Sequence, residues 1–321
     1  LMMATLRSGH IWTAHNIAVT SSGVGDVTGD RDGSRWYEID VSGGTPALVQ
    51  SGTLFDPAAS NPTFYWKIVF VLLGGLNVTY FLVTGAAGFI GYHTVSRLCG
   101  AGADVVGVDN FDPYYDPSLK RARLAAIRAK NFQFLECDVR DRDRTLALSR
   151  SIRPHTIVHL AAQAGVRYSV DHPQRYIDTN VTGFLNVLDA ARECGAKQLI
   201  YASSSSVYGA TMGEACAERA NTSRPLSMYA ATKKMNESMA HVYSHLHGLA
   251  TTGLRLFTVY GPWGRPDMAM FIFASAIVAG QPIKLFNHGK MRRDFTYVDD
   301  VVEAIVRLID RIPRSNPSWP S

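Results

Sequence analysis

The chain has 321 residues, 46% hydrophobic and 18% charged, with 27 glycines and 14 prolines; this excludes a disordered or collagen-like chain and leaves room for one large domain or two smaller ones. The formal net charge of +5 comes from dispersed Lys and Arg rather than from a basic run or stripe. That argues against nucleic acid as a partner and favours a small phosphorylated ligand.

Residues 1–78 differ in texture from the rest. Clusters of Gly, Ser, Thr, Asp and Pro surround short apolar pieces such as Trp36, Tyr37 and Ile39, with no sustained helical period, so the segment reads as loose or at best short-stranded. The apolar stretch 68–83 is interrupted by Gly74, Gly75, Asn77 and Thr79 and falls short of the roughly 20 residues that span a bilayer. It argues against a membrane anchor. It also lies too far from residue 1 for a signal peptide.

From residue 79 the texture becomes regular. Short β-branched runs at 80–84, 104–108, 132–135, 156–160, 198–202 and 251–256 alternate with amphipathic stretches at 90–99, 117–130, 141–151, 173–194 and 228–247. Six strands separated by helices predict βαβ units and a mostly parallel, doubly wound sheet of the Rossmann type, with helices on both faces.

Gly85, Gly88 and Gly91 follow the first strand and open a helix. Such glycines permit a tight turn, close backbone approach to a pyrophosphate and close helix packing, while the helix N-terminus offers free N–H groups to the anion. Asp109 ends the second strand 24 residues after Gly85, where a carboxylate can accept from an adenosine ribose and repel a 2′-phosphate. This favours NAD over NADP. Asp138 and Val139 after the third strand, and Leu160, Ala161, Ala162 and Gln163 after the fourth, lie at carboxyl ends of the sheet, where ligands bind in such folds.

The fifth strand leads into Ser203, Ser204, Ser205 and Ser206. Tyr229 and Lys233 then sit four apart on one face of a helix. An ammonium near a phenol stabilises the phenolate, and a serine hydroxyl can hold a reacting oxygen beside it; the set suits proton removal from an alcohol whose hydride leaves to nicotinamide. The cysteines Cys99, Cys137, Cys194 and Cys216 are 38, 57 and 22 residues apart. That spacing matches neither a zinc-ligand pair nor a disulfide framework, so they read as reduced thiols of an intracellular, cytoplasmic protein.

With these motifs in place, residues 79–321 resemble the extended short-chain dehydrogenase/reductase family, the NAD-dependent epimerases and dehydratases. Within it the nearest subgroup is UDP-glucuronate 4-epimerase, through the runs Asp109-Asn110-Phe111-Asp112-Pro113-Tyr114-Tyr115, Ala161-Ala162-Gln163-Ala164-Gly165-Val166-Arg167 and Gly261-Pro262-Trp263-Gly264-Arg265-Pro266-Asp267. The resemblance implies that Gly85, Gly88, Phe89, Ile90, Gly91, Asp109, Asn110, Asp138, Val139, Leu160, Ala161, Ala162, Gln163 and Asn180 serve the cofactor. It makes Tyr229 the base, Lys233 a ligand of the nicotinamide ribose and Ser204 the hydroxyl partner. Ser205, Ser206, Thr258 and Arg265 are expected to hold a sugar carboxylate, and Arg293 to meet the UDP moiety.

Related dehydratases carry an Asp-Glu pair where this chain has Ser205 and Ser206. Without a carboxylate there, dehydration has no evident proton shuttle and epimerisation is favoured. The alternatives are a UDP-glucose/UDP-galactose 4-epimerase and, in another class, a nucleotide-binding module without turnover, against which Tyr229 and Lys233 argue. The resemblance further implies a homodimer through helices 173–194 and 228–247, and a small substrate domain drawn mainly from 210–226 and 258–298. Family members usually continue beyond this chain's last residue, so that domain is expected to be C-terminally incomplete. They also begin almost at Thr79, which leaves 1–78 as a separate interaction segment or as upstream sequence.

Overall fold

The computed structural model describes residues 3–7, 10–19, 31–40 and 47–54 at the level of their strands, and 80–210, 216–283 and 294–314 with their side chains. Expectations that fall on Arg293, on 211–215 and on most of the apolar stretch 68–83 lie outside the described residues. Backbone contacts divide the chain into two compact units, 1–78 and 79–321.

In the first unit β1 (Met3–Arg7), β2 (His10–Val19), β3 (Arg31–Asp40) and β4 (Ala47–Leu54) pair in sequence order as an antiparallel sheet. Strands of ten residues exceed what the sequence predicts. Neither β2 nor β3 carries the strict polar and apolar alternation that marks a half-buried strand, so the pattern gave no signal.

The second unit is built on six parallel strands: β5 (Tyr80–Thr84), β6 (Asp104–Asp109), β7 (Phe132–Glu136), β8 (Thr156–His159), β9 (Gln198–Ala202) and β10 (Ala250–Leu254). Their spatial order is β10-β9-β8-β5-β6-β7. The order reverses between β5 and β8, which opens a crevice at the carboxyl ends of those two strands. The expected strands are all present, within two residues at their ends.

Helices cover both faces. On one, α1 (Phe89–Gly100) and α9 (Val298–Ile309) enclose Val83, Val95, Leu98, Val301, Val302 and Ile305. On the other, α6 (Gly183–Cys194) and α7 (Met228–His247) close over Leu82, Ile157, Phe184, Leu188 and Leu199. The connections α2 (Pro117–Ala126) and α3 (Arg142–Ile152) begin with aspartate caps, Asp116 accepting from Ser118 N and Asp141 from Arg144 N. Such caps satisfy N–H groups that a helix start leaves without partners.

The stretch 173–194, expected as one helix, is broken. Short α4 (Tyr168–Asp171) and α5 (Pro173–Tyr176) lead into a π-helical turn at Ile177–Thr182 before α6 starts. The β-branched residues Ile177, Thr179, Val181 and Thr182 explain the weak point. Three elements had no sequence signal: the parallel pair β11 (Thr258–Tyr260) and β12 (Phe295–Tyr297), and the apolar α8 (Ala269–Val278). Among the described residues no helix is long and apolar enough to cross a membrane. All four cysteines are free thiols.

Candidate active site

The crevice at the strand reversal is a cleft of about 740 Å³. Its first wall is the turn after β5. Gly85 has φ +71°, and a Cβ there would stand 2.7 Å from Ala161 N; a Cβ on Gly91 would stand 2.0 Å from Gly85 O. Only glycine lets the turn, the start of α1 and the end of β8 come this close. Gly88 caps α1 without a side-chain bond, and the first turn holds no acid. Its N–H groups are therefore left for an anion. Phe89 and Ile90 line the same wall.

Asp109 ends β6 at 7% exposure. It accepts from Phe111 N at 2.8 Å and from Lys120 Nζ at 3.2 Å, both on Oδ1, so Oδ2 remains for a ribose hydroxyl. Lys120 was not singled out from the sequence, where it is one of several cations in α2. Asn110 lines the cleft and donates to Asp138 Oδ2. Asp138 itself stands back from the cleft, gripped by Arg140 at 2.6 to 3.0 Å. Burial raises its pKa, but the bonds from Arg140 and Asn110 outweigh that and hold the carboxyl below its usual range. Val139 lines the cleft in its place.

Leu160, Ala161, Ala162 and Gln163 form the floor. Asn180 does not reach the cleft. At 1% exposure it clamps the floor from behind, accepting from Gln163 N at 2.8 Å and donating to Gln163 O at 3.0 Å and Thr232 Oγ1 at 3.1 Å. The π-helical turn aims Asn180 this way, a frequent use of such bulges.

The far wall carries Ser204, Ser205, Ser206, Tyr229, Lys233, Thr258 and Arg265. Ser204 caps a short 3-10 turn at Ser205–Tyr208 by accepting from Ser206 N. Lys233, 2% exposed, donates to Ala202 O at 2.7 Å, and burial lowers its pKa to about 8. The expectation that Lys233 draws down the Tyr229 pKa needs correction. Burial leaves the Tyr229 phenol above its ordinary pKa, and the groups that pull against burial are the Ser204 hydroxyl and the Arg265 guanidinium. The Lys233 ammonium is turned to the strand carbonyl instead.

Arg265 is held by Asp267 in a bidentate pair, Nε to Oδ1 at 2.9 Å and Nη2 to Oδ2 at 2.5 Å. Asp267 also accepts from Tyr114 OH at 2.9 Å, and burial together with this aspartate pushes the Tyr114 phenol up to about 12. Arg265 also faces the Tyr114 ring, 5.9 Å from its centroid. Tyr176, fully buried, packs edge-on to Tyr229 and donates its hydroxyl to Gly165 O. Behind the serines, Glu237 accepts from Ser203 Oγ at 2.7 Å and pairs with Arg255 through both oxygens.

Asp267, Tyr114, Tyr176 and Arg255 were not found from the sequence. Glu237 could have been, because it lies four residues beyond Lys233 and eight beyond Tyr229 on the same helix face.

The architecture and the cleft have known counterparts. The model of the NAD dependent epimerase/dehydratase family matches residues 81–317. Protein CapI of Staphylococcus aureus is 53% identical over 238 residues, 74% of this chain and 71% of that protein. A probable UDP-glucuronate 4-epimerase of Rhizobium meliloti is 49% identical over 229 residues, 71% of this chain and 67% of that protein. The crystal structure of the UDP-glucuronic acid 4-epimerase of Bacillus cereus in complex with UDP-glucuronic acid and NAD superposes with a TM-score of 0.68 at 34% identity, covering 74% of each chain. The chain spanning residues 81–317 belongs to the NAD dependent epimerase/dehydratase family.

Proposed function

We propose that the protein is an NAD-dependent UDP-sugar 4-epimerase that interconverts UDP-glucuronate and UDP-galacturonate. The observation that carries this reading is the meeting, in one cleft, of the glycine turn and Asp109 with Ser204, Tyr229 and Arg265, and with Ser205 and Ser206 where dehydration would call for carboxylates. The likeness to the probable UDP-glucuronate 4-epimerase of Rhizobium meliloti and the UDP-glucuronic acid 4-epimerase of Bacillus cereus supports the substrate.

The residues present fit NAD. The turn tolerates no Cβ, α1 presents unused N–H groups, and Asp109 keeps one oxygen for the adenosine ribose. Gly85, Gly88, Gly91, Asp109 and the 160–163 floor would hold it, with Lys233 near the nicotinamide ribose. When bound, NAD supplies the acceptor and donor of the C4 hydride.

Tyr229 takes the proton from the sugar 4-hydroxyl and later returns it, with Ser204 holding the reacting oxygen. The phenol starts above its ordinary pKa, so the pull of Ser204 and Arg265 sets the fraction able to act as base. Loss of hydride and proton leaves a 4-keto sugar, which turns in the cleft and is reduced on its other face. For a uronate this ketone is a β-keto acid that can lose CO₂. Holding its carboxylate with the C–C bond out of line with the ketone π system suppresses that loss. Arg265 and the hydroxyls of Ser205, Ser206 and Thr258, all lining the cleft, are suited to it, since guanidinium and hydroxyl donors bond strongly to carboxylates.

One observation favours a second reading. Asp267 already neutralises Arg265, which suits the uncharged sugar of UDP-glucose or UDP-galactose. Turnover of Arg265→Ala on UDP-glucuronate and on UDP-galactose separates the two. The uronate reading expects the larger loss on UDP-glucuronate; equal losses would sink the carboxylate role.

The remaining expectations belong to the same proposal. The small substrate domain expected from 210–226 and 258–298 would meet the sugar through Thr258, Arg265, Asp267, Met268 and Ile272; no described residue of 210–226 lines the cleft. A homodimer would use α6 and α7, whose Leu185, Met235, Val242 and Leu246 are exposed; sedimentation at the monomer mass would overturn it.

A further inference from the structure

Arg123, in the last turn of α2, is completely buried, and among the described residues it has no carboxylate partner. Its guanidinium spends its N–H groups on neutral oxygens. Nη1 donates to Ala87 O at 3.1 Å and to Tyr115 OH at 2.7 Å. Nε and Nη2 converge on Trp263 O at 3.1 and 2.7 Å, and Nη2 reaches Gly264 O at 3.3 Å. Burying a cation without a counter-charge is costly, and it is retained only where every donor is satisfied.

The acceptors belong to three different stretches of chain. Ala87 lies inside the glycine turn between Gly85 and Gly88. Tyr115 lies in the segment after β6 that also carries Tyr114. Trp263 and Gly264 immediately precede Arg265. Trp263 has φ +61°, a left-handed conformation that a large aromatic side chain seldom adopts. Such a conformation persists where its surroundings over-determine it. Two bonds from one guanidinium to the Trp263 carbonyl supply that constraint. α1 also meets this loop, His93 Nε2 donating to Pro262 O at 2.9 Å and the Tyr92 ring packing on that of Trp263, but neither contact reaches Ala87 or the Trp263 carbonyl that Arg123 holds.

We infer that Arg123 is a positioning residue that couples the glycine turn to the loop bearing Arg265 and Asp267. Arg123 does not line the cleft, so it acts through the backbone atoms it holds. When an anion settles on the α1 N-terminus and fixes the turn, Ala87 O fixes Nη1. The planar fork transmits that position to the Trp263 and Gly264 carbonyls, and so to the guanidinium of Arg265. A lysine keeps the charge but cannot bridge both sides with a rigid plane. The inference rests on the cofactor reading of the turn.

Hydrogen–deuterium exchange of the full chain with and without NAD tests it, on the wild type and on Arg123→Lys and Arg123→Gln. In the wild type, NAD is expected to slow exchange both in 85–91 and in 261–268. In either variant that keeps its circular dichroism spectrum, the turn keeps its protection, while the NAD-induced slowing in 261–268 falls at least about fivefold, the lower end of coupling between linked sites. Slowing in 261–268 that persists in a folded variant would mean direct contact with NAD and would overturn the proposal. A wild type in which the turn is protected and the loop is not overturns it without any variant. Absence of protection in 85–91 would overturn the cofactor reading and the proposal with it.

Discussion

Replacing Lys233 with Met isolates the electrostatic cost of building this site. Lys233 is 2% exposed and its ammonium has a single hydrogen bond, to Ala202 O. Burial lowers its pKa from 10.5 to about 8. At about 1.4 kcal/mol per pKa unit, this weighs about 3 kcal/mol against the folded state wherever the unfolded and folded lysines both carry the proton. That condition holds below pH 8. Between pH 8 and 10.5 the folded lysine is neutral while the unfolded one is still charged, so the penalty shrinks as pH rises and is gone above 10.5. The methionine has no such dependence. Its loss of the bond to Ala202 O costs about 1 to 3 kcal/mol at any pH. Urea unfolding of both proteins at pH 7 and 9.5 therefore has a definite expectation. Relative to Lys233→Met, the wild type should gain about 2 kcal/mol of stability between the two pH values. A difference between the proteins that is the same at both would refute the claim that Lys233 is buried at a desolvation cost.

Further predictions concern the rest of the cleft. Gly91→Ala places a methyl against Gly85 O, so the purified protein should lose bound NAD, read as the ratio of absorbance at 260 and 280 nm, and about 1 to 3 kcal/mol of stability. Asp109→Ser leaves Lys120 unpaired beside the ribose position and removes the charge that repels a 2′-phosphate; calorimetry should find NAD bound about tenfold more weakly and the preference over NADP reduced or reversed. Arg265→Ala removes a cation that pulls the Tyr229 pKa down, so the rising limb of the pH–rate profile should move to higher pH and turnover at pH 7 should fall. Glu237→Gln weakens the pairing that anchors Ser203 and Arg255; kcat should drop about tenfold with little change in NAD content, as expected for the loss of a charge-assisted hydrogen bond.

The sheet and the cofactor side were legible because their signals are local. A β-branched run, three glycines and an acid at the next strand end occupy one contiguous βαβ unit, and each requirement falls on a fixed position. Tyr229 and Lys233 were legible for the same reason, since helical spacing places them on one face. What was hidden depends on contacts between distant segments. The pairing of Arg265 with Asp267 is only two residues apart in sequence, yet its meaning comes from Tyr114, 153 residues away. Arg123 sits beside Lys120 and Arg121 in the amphipathic stretch 117–130, where nothing sets it apart from an exposed cation, and only the fold buries it. Asn180 was expected on the cofactor side from resemblance; the π-helical turn that places it behind the floor is a backbone irregularity that no periodicity encodes. The apolar α8 lacks any polar face to set its phase, and β11 and β12 are three residues each, too short for alternation to register.

In the proposed reaction this cleft oxidises and re-reduces C4 of a UDP-uronate while NAD stays bound. It is tested most directly by incubating the purified full chain, without added NAD, with UDP-glucuronate and following the mixture by ¹H NMR. UDP-galacturonate should appear toward an equilibrium mixture, with little pentose product from decarboxylation, and Tyr229→Phe that retains its NAD should give no conversion. Bound NAD without conversion in the wild type, or undiminished conversion by Tyr229→Phe, would contradict it.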